Sequence, residues 1–209
     1  MRVDELLSPP QRAVLDRLHR IDADERARGE RTDRSAMALA PEVAALLLLL
    51  VIQRGARRIV ELGTSLGYST IHLAAGAART GGTVETVDAL AHKTEAARAN
   101  LTEAGLIHRV TLVTSDAADW APNVASTPGM DLVLVDCPVA EIERAVHPLV
   151  DRLSPHGVLF VDGGPPGYWD AAGAPLWSEL EGRGDLVVSR LGMHKEHVLA
   201  VRLGAARGC

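Results

Sequence analysis

Short apolar runs alternate with amphipathic helical stretches over most of the chain after residue 57. The runs are RRIVEL, TVETVD, RVTLVTSD, MDLVLVD and GVLFVD, and all but the third lead into a clear helical pattern. Continuous apolar strands separated by helices are typical of a parallel sheet that is covered on both faces. The pattern therefore predicts a doubly wound, Rossmann-like α/β fold.

Two further apolar runs, LVVSRLG and HVLAVRL, close the pattern, and only residues 193–196 separate them. A connection this short cannot contain a crossover helix, so we expect these two strands to be antiparallel. The chain is thus predicted to form a seven-stranded, mostly parallel sheet with an antiparallel C-terminal hairpin strand.

Two predicted helices precede the sheet. The first begins at Pro9 and continues to about Ile21, and the second begins at Pro41 and carries the leucine run VAALLLLLVI. Proline favours the first turn of a helix. A run of this length predicts a buried helix and not a membrane span. The charged stretch between the two helices, DADERARGERTDR, predicts a solvated helix or loop.

Composition and charge narrow the class of protein. Hydrophobic residues make up 47% of the 209 residues and charged residues 23%, which is typical of a globular chain. The composition shows no break, so we expect one domain over 1–209, with 1–36 as a helical extension and 37–209 as the α/β core. The net charge of −5 argues against a nucleic-acid partner, because such proteins usually carry a basic face.

The cysteines and the first residues of the sequence give an expectation for the cellular compartment of the protein. Two cysteines, Cys137 and Cys209, do not suggest a disulfide framework. The first residues, MRVDELLSPPQR, lack the apolar segment of a signal peptide. We therefore expect a cytoplasmic protein.

The first strand of the sheet leads into the segment GTSLGYST, residues 63–70. Gly63 and Gly67 allow the backbone to turn sharply and to approach a ligand closely. The helix that follows offers free N–H groups and positive potential to an anion, and Ser65 and Ser69 can add hydroxyl donors. Ligands of open α/β sheets bind at this edge, outside the carboxyl ends of the strands. The segment therefore predicts a site for an anionic group.

Acidic residues end the next two strands. Asp88 lies 25 residues beyond Gly63 and can accept two hydrogen bonds from a ribose diol, and Asp116 ends the third strand. These residues indicate a nucleoside that carries a carboxylate or a phosphate. A dinucleotide requires G-x-G-x-x-G, whereas this chain has Ser65 between Gly63 and Gly67, so S-adenosylmethionine fits better than NAD. The alternative is that the glycines serve only a tight turn.

The segments MALAPEVAALL, VELGTSLGYST, DLVLVDCP and GVLFVDGG together resemble the class I S-adenosylmethionine-dependent O-methyltransferases of the catechol and caffeoyl-CoA type. The resemblance runs from about Met37 to Leu203 and implies S-adenosylmethionine as the cofactor. The implied cofactor-binding residues are Glu61, Gly63, Ser65, Tyr68 and Ser69 around the methionine part, Asp88 at the ribose, Asp116 at the adenine side, Met37 and Leu39 over the sulfonium, and Asp136 at the end of the fourth strand.

The chain departs from this family pattern at the metal and base positions. The resemblance implies a divalent metal ion held by two aspartates and an asparagine; Asp136 and Asp162 match the aspartates, but Gly163 replaces the asparagine. Two carboxylates with waters can still hold Mg²⁺, because this ion keeps several waters. The alternative is that both aspartates are remnants or orient another group. The catechol-type members also have a lysine base where this chain has Val139.

Candidates for acid–base chemistry and acceptor binding follow the later strands. His194 lies between the two C-terminal strands and is a candidate base; the alternative, which the position favours, is an exposed hairpin histidine. Together with Asp136 it forms the predicted catalytic pair. Tyr168 and Trp169 lie in the loop GGPPGYWD, where they either line the acceptor pocket or pack in the core.

The resemblance predicts a methyltransferase that acts at an oxygen of a small-molecule acceptor and has a degenerate metal site. A homodimer is expected from bacterial relatives and from the apolar face of the N-terminal helix. Two other functions stay open. The missing metal and base residues favour a non-catalytic homologue that binds S-adenosylmethionine, and a nucleotide-dependent oxidoreductase is the third reading, which the glycine spacing opposes.

Overall fold

The computed structural model describes residues 3–127, 129–193 and 195–204. Its strands are β1 (Arg58–Leu62), β2 (Thr83–Asp88), β3 (Val110–Thr114), β4 (Met130–Val135), β5 (Leu153–Val161), β6 (Leu186–Gly192) and β7 (Glu196–Arg202). Its α-helices are α1 (Pro9–Ala27), α2 (Pro41–Arg54), α3 (Tyr68–Thr80), α4 (Ala91–Glu103), α5 (Ala117–Val124), α6 (Ile142–Val150) and α7 (Ala174–Gly182).

The strands form the predicted seven-stranded sheet, in the order β3-β2-β1-β4-β5-β7-β6. Six strands run parallel, and β7 runs antiparallel to both of its neighbours, β5 and β6. The fold class is therefore confirmed, and so is the antiparallel pairing of the last two strands. The insertion of β7 between β5 and β6 brings the start of β7 beside the carboxyl end of β5.

Two compact units make up the chain. The first comprises Met1–Ile59 and Gly63–Ser115, and the second comprises Val60–Leu62 and Asp116–Cys209. Each unit contains its own set of predicted site residues.

Helices α2 and α3 pack closely in the first unit because Gly76 of α3 has no side chain. A Cβ atom at Gly76 would lie 2.7 Å from Cγ1 of Val51, closer than real Cβ atoms approach. The buried residues of α2 are Val43, Ala44, Leu47, Leu48 and Val51, which confirms that the leucine run forms a buried helix. Among the described residues, no helix has both the length and the apolar character needed to cross a membrane.

Helix α1 ends at Ala27, beyond the predicted end near Ile21. Most of the charged stretch after Ile21 is exposed, as predicted, but Asp22 is buried with 5% of its surface exposed. Its carboxylate accepts a hydrogen bond from the backbone N–H of Ala38 at 3.1 Å. The side chain of Asp22 is therefore buried because it accepts a hydrogen bond from the backbone that follows α1.

Strands β4, β5 and β7 form the centre of the second unit. In the antiparallel register Val161 of β5 lies opposite Val198 of β7, so the next residue, Asp162, comes opposite His197. The ring of His197 packs 5.4 Å from that of Phe160, which is fully buried. This register brings residues that are distant in sequence to one edge of the second unit.

Candidate functional site

The glycine turn, residues 63–70, has an unusual backbone. Three alternate residues have positive φ: Gly63 at 105°, Ser65 at 45° and Gly67 at 89°. Gly67 is the N-cap of α3, and no side chain caps this helix start. A serine in the left-handed region costs energy and persists only where the surroundings hold it. The N–H groups of Gly63, Ser65 and Gly67 already donate within the protein, to the carbonyls of Val87 and Thr64 and to Asp88. The part of the turn that can meet an anion is therefore the start of α3, where a helix offers N–H groups and positive potential.

Asp88, at the end of β2, holds the glycine turn in this shape. Its Oδ2 accepts a hydrogen bond from the backbone N–H of Ser65 at 2.8 Å, and its Oδ1 accepts one from Leu90 at 3.0 Å. A carboxylate oxygen has two lone pairs, so each oxygen retains capacity for one more donor. Asp88 can therefore shape the turn and still accept bonds from a ligand diol.

The segment 35–39, called the strap here, contacts the glycine turn through Ser65. The Ser65 hydroxyl donates to the backbone carbonyl of Ala36 at 2.7 Å. The strap is also anchored to α1, since Glu25 accepts from the Ala36 N–H at 2.6 Å and Asp22 accepts from Ala38. These contacts place the strap beside the glycine turn.

The two predicted residues of the strap differ in exposure. Met37 has a positive φ of 45° and is 48% exposed, whereas Leu39 is buried. Exposure at this position leaves the Met37 thioether able to contact a ligand. Lys93, which the sequence reasoning missed, is buried nearby and donates to the Ser65 hydroxyl at 3.3 Å.

The remaining predicted residues of the cofactor set lie at helix starts and strand ends. Tyr68 and Ser69 are buried in the first turn of α3, and burial raises the pKa of Tyr68 to about 12. Glu61 is fully buried at the end of β1. Asp116 caps α5 by accepting a hydrogen bond from the Asp119 N–H at 3.0 Å.

The second unit holds a separate cluster, called the carboxylate cluster here, made of Asp136, Asp162, Lys195 and His197. Nζ of Lys195 donates to Oδ2 of Asp162 at 2.6 Å, and Nδ1 of His197 lies 2.9 Å from Oδ1. The side chains of Asp162 and His197 are 1% and 0% exposed, and that of Lys195 is 40% exposed. Both oxygens of Asp162 therefore already face a nitrogen of the protein.

The two carboxyl groups of this cluster titrate in opposite directions. Burial and the neighbouring charge of Asp162 raise the pKa of Asp136 well above its ordinary value, and the Lys195 charge only partly opposes this. Burial also acts to raise the pKa of Asp162, but His197 and Lys195 together outweigh it and lower that pKa. Asp136 therefore holds a proton more firmly than an ordinary aspartate, and Asp162 loses its proton more readily.

The residues present do not fit the metal site that the resemblance implies. Asp162 is engaged by Lys195 and His197, and position 163 cannot supply a third ligand. A Cβ atom at Gly163 would overlap the carbonyl oxygen of Glu196 and would lie 2.8 Å from Nε1 of Trp169. Within the described residues, no group of three or more His, Cys, Asp or Glu side chains is placed to hold a metal ion.

The predicted acceptor-binding residues occupy two different environments. Trp169 is fully buried, and its Nε1 donates to the Glu196 carbonyl at 3.0 Å. Tyr168 is half-buried, and its ring centroid lies 4.9 Å from that of Trp169 in an edge-to-face arrangement. Trp169 thus has a packing role that the structure explains, while Tyr168 stays partly exposed. Val139 is 43% exposed.

Two further side chains belong to this part of the sequence, Cys137 and His194. Burial raises the pKa of Cys137 to about 12, so this thiol is not an activated nucleophile. His194, the predicted base, lies outside the described residues.

Sequence reasoning assigned no role to Lys195, which lies within the loop that it singled out, or to His197, which follows that loop. The available signal was the short link before β7, which required an antiparallel partner for this strand. The short link makes β6 one neighbour of β7. If β5 had been chosen as the other neighbour, His197 would have come beside Asp162.

Comparison with known proteins places this geometry in context. Residues 60–163 match a family model described as a methyltransferase domain. The chain is 37% identical over 129 residues to a catechol O-methyltransferase of Mycobacterium tuberculosis, covering 60% of this chain and 56% of that protein. It is 32% identical over 153 residues to a protein named as a probable O-methyltransferase of the same species, covering 69% and 67%. The chain thus spans little more than half the length of some curated relatives that it matches.

Solved structures with the same architecture include two that contain the cofactor or its product. An O-methyltransferase from Streptomyces achromogenes involved in tomaymycin synthesis, solved with SAM, has a TM-score of 0.74 and 25% identity, covering 90% of this chain and 89% of that one. An O-methyltransferase from Bacillus cereus, solved with SAH, has a TM-score of 0.78 and 22% identity, covering 91% and 90%. The second likeness concerns the fold alone.

Proposed function

The chain belongs to the class I O-methyltransferases, and from this membership we propose that it uses S-adenosylmethionine to methylate an oxygen of a small-molecule acceptor. The observation that carries the proposal is the glycine turn, in which three alternate residues have positive φ and Asp88 binds the Ser65 amide. This turn suits a ligand that combines an anionic group with a ribose. Family membership also argues against the nucleotide-dependent oxidoreductase.

The residues around the glycine turn are proposed to hold different parts of the cofactor. Asp88 would bind the ribose through the lone pairs that its two backbone hydrogen bonds leave free. Met37, exposed on the strap, would contact the sulfonium. The methionine part is assigned to Glu61, Gly63, Ser65, Tyr68 and Ser69, the adenine side to Asp116, and further closure to Leu39 and Asp136.

The carboxylate cluster is proposed to serve the acceptor. The bound cofactor supplies a methyl group that its sulfonium has already activated. The protein must then orient the acceptor oxygen and, where the acceptor is a phenol, accept its proton. Asp136 suits the second task because its raised pKa makes it a stronger base than an ordinary carboxylate. His194 stays a proposed alternative base, and Tyr168 and Trp169 stay proposed acceptor contacts.

The metal site is proposed to be degenerate. Position 163 provides no ligand, and both oxygens of Asp162 face protein nitrogens. The same departures favour a second function, a homologue that binds S-adenosylmethionine without turnover.

Two measurements test the proposal. Calorimetry with S-adenosylhomocysteine should show binding, and Asp88→Ala should weaken it by roughly 1.5–3 kcal/mol, because the ribose and the Ser65 amide both lose a charged acceptor. Asp24→Ala, on the exposed side of α1, is the control and should bind as the wild type does. Unchanged affinity in Asp88→Ala would remove the ribose assignment.

Turnover then separates the enzyme from the non-catalytic homologue. Methyl transfer from labelled S-adenosylmethionine should be detected within a panel of catechols, other phenols and aromatic carboxylates. A protein that binds S-adenosylhomocysteine and methylates no member of a broad panel would favour the non-catalytic function.

A cytoplasmic homodimer stays part of the proposal. The predicted reason for dimerisation is weakened, because Val14, Leu15 and Leu18 on the apolar face of α1 are already buried within the first unit. Two-fold dimers are nevertheless the commonest form among soluble homo-oligomers. Light scattering at micromolar concentration tests the proposal, and a monomeric mass would contradict it.

A further inference from the structure

We propose that the ammonium group of Lys195 takes the place of the divalent metal ion, so that the carboxylate cluster acts on its acceptor without a metal. This inference rests on the proposed function, which it deepens by naming the cation that faces the acceptor oxygen. Lys195 is a catalytic residue in this proposal, since its ammonium group is inferred to contact and stabilise an anionic acceptor oxygen, and Asp162 is the residue that positions it.

The first step is the contact between Lys195 and Asp162. Nζ of Lys195 lies 2.6 Å from Oδ2 of a carboxylate that is 1% exposed, while the lysine side chain is itself 40% exposed. The ammonium group therefore approaches the buried carboxylate from the open side.

The second step is that one short segment of chain supplies the charge and closes the ligand position. Lys195 provides the cation, and the carbonyl oxygen of the next residue, Glu196, occupies the space that a side chain at Gly163 would need. The Trp169 indole donates to that same carbonyl at 3.0 Å and keeps it in place. An asparagine at position 163 is therefore incompatible with this start of β7.

The third step is the other oxygen of Asp162. Nδ1 of the fully buried His197 lies 2.9 Å from Oδ1, so each oxygen of this carboxylate already has a nitrogen partner that a metal ion would have to displace or share. Within the described residues of the cluster, Asp136 is left as a single carboxylate, and one carboxylate with waters is a weak site for a divalent ion.

The chemistry of an ammonium group sets the class of acceptor. Lysine has three N–H donors, of which Asp162 takes one, so the group can donate to an oxygen of the acceptor. A single positive charge stabilises an oxygen anion, but it acidifies a hydroxyl group less strongly than a metal dication does. The inference therefore favours acceptors that bring an acidic oxygen, such as carboxylates and acidic phenols.

The test compares two substitutions of Lys195 with one matched control. Lys195→Met removes the charge and keeps the length of the side chain, and Lys195→Arg keeps the charge. Arg144→Met removes a cation from an exposed ion pair with Asp119 in the same unit. For each protein we would measure the melting temperature, S-adenosylhomocysteine affinity, Mn²⁺ binding by electron paramagnetic resonance, and turnover with and without EDTA.

The wild type is expected to bind no stoichiometric Mn²⁺ and to keep its turnover in EDTA. Lys195→Met should lose at least roughly 100-fold in turnover, with S-adenosylhomocysteine affinity within about twofold of the wild type. Lys195→Arg should recover part of that loss, and Arg144→Met should lose none of it. If the role of Lys195 were merely structural, Lys195→Met would have a lower melting temperature, and its turnover and its S-adenosylhomocysteine affinity would fall together.

Two results would overturn the inference: one bound Mn²⁺ per wild-type chain, or loss of wild-type turnover in EDTA that Mg²⁺ restores. Full activity of Lys195→Met in EDTA would overturn it as well. The Mn²⁺ measurement needs no acceptor, so it decides the inference even where no acceptor is found. A failure of the proposed function is distinguishable, because it would appear as absent binding of S-adenosylhomocysteine.

Discussion

The glycine turn and the carboxylate cluster are built by opposite means. In the turn, the conformation of the backbone is held by Asp88, which is also the side chain proposed to bind the ribose. In the cluster, the groups proposed to face an acceptor are charged side chains, and the backbone of residues 163 and 196 limits the space around them. Ligand binding at the turn should therefore depend on backbone conformation and on Asp88, whereas the cluster should depend on each of its charges.

The largest effect is expected from a change of backbone freedom in the glycine turn. Gly67→Ala places a Cβ on a residue with φ of 89°, and that Cβ would lie 3.4 Å from the Cβ of Ala97. Strain of about 1–3 kcal/mol should shift the start of α3 and weaken S-adenosylhomocysteine binding roughly 5- to 150-fold in calorimetry.

The control for this variant is Gly81→Ala at the other end of α3. Gly81 also has positive φ, at 76°, so alanine is strained there too, but it lies after the helix and away from the turn. It should lower the melting temperature without changing affinity. Equal loss of affinity in both variants would show that binding follows general stability and not the conformation of the glycine turn.

The next effect concerns the strap that borders the turn. Asp22→Ala removes the buried acceptor of the Ala38 N–H and should cost about 1–3 kcal/mol of unfolding free energy. For a chain of this size, each kcal/mol lowers the melting temperature by roughly 2–4 °C. Affinity for S-adenosylhomocysteine should fall too, because the strap contacts Ser65.

Asp24→Ala provides the comparison for the strap, since Asp24 is exposed on the same helix. Its free energy of unfolding, measured by calorimetry, should lie within about 0.5 kcal/mol of the wild-type value. If the strap is not needed for binding, Asp22→Ala will have a lower melting temperature and an unchanged affinity for S-adenosylhomocysteine.

The same contrast explains how far sequence reasoning reached. The sheet, the antiparallel end and the glycine turn were predictable because each depends on local spacing: apolar runs, a short link, and glycines at fixed intervals. The roles of Asp22 and Ser65 toward the strap were not predictable, because hydrogen bonds to backbone groups leave no pattern in residue types. Lys195 was missed because its contact with Asp162 depends on which strand pairs with β7, and charge in a hairpin loop usually means exposure.

The smallest effect distinguishes the two carboxyl groups of the cluster by the sign of their pH dependence. Asp136 has a raised pKa, so above the ordinary aspartate pKa of roughly 4 the folded state binds more protons than the unfolded state. Stability then falls as pH rises through this range, until Asp136 itself ionises. Asp136→Asn cannot ionise, so it should be more stable than the wild type at neutral pH, by roughly 0.5–2 kcal/mol, and should lose this advantage toward pH 4.

Asp162 has a lowered pKa, and its contribution to stability is present above the unfolded pKa and lost as pH falls through the folded pKa. Asp162→Asn should therefore be less stable than the wild type at neutral pH and approach it in acid. Melting temperatures of the three proteins between pH 4 and 8 measure both signs. If the melting temperatures of both variants shifted with the same sign, Lys195 would not give the two carboxyl groups different pKa values. The claim that the cluster depends on each of its charges would then be wrong.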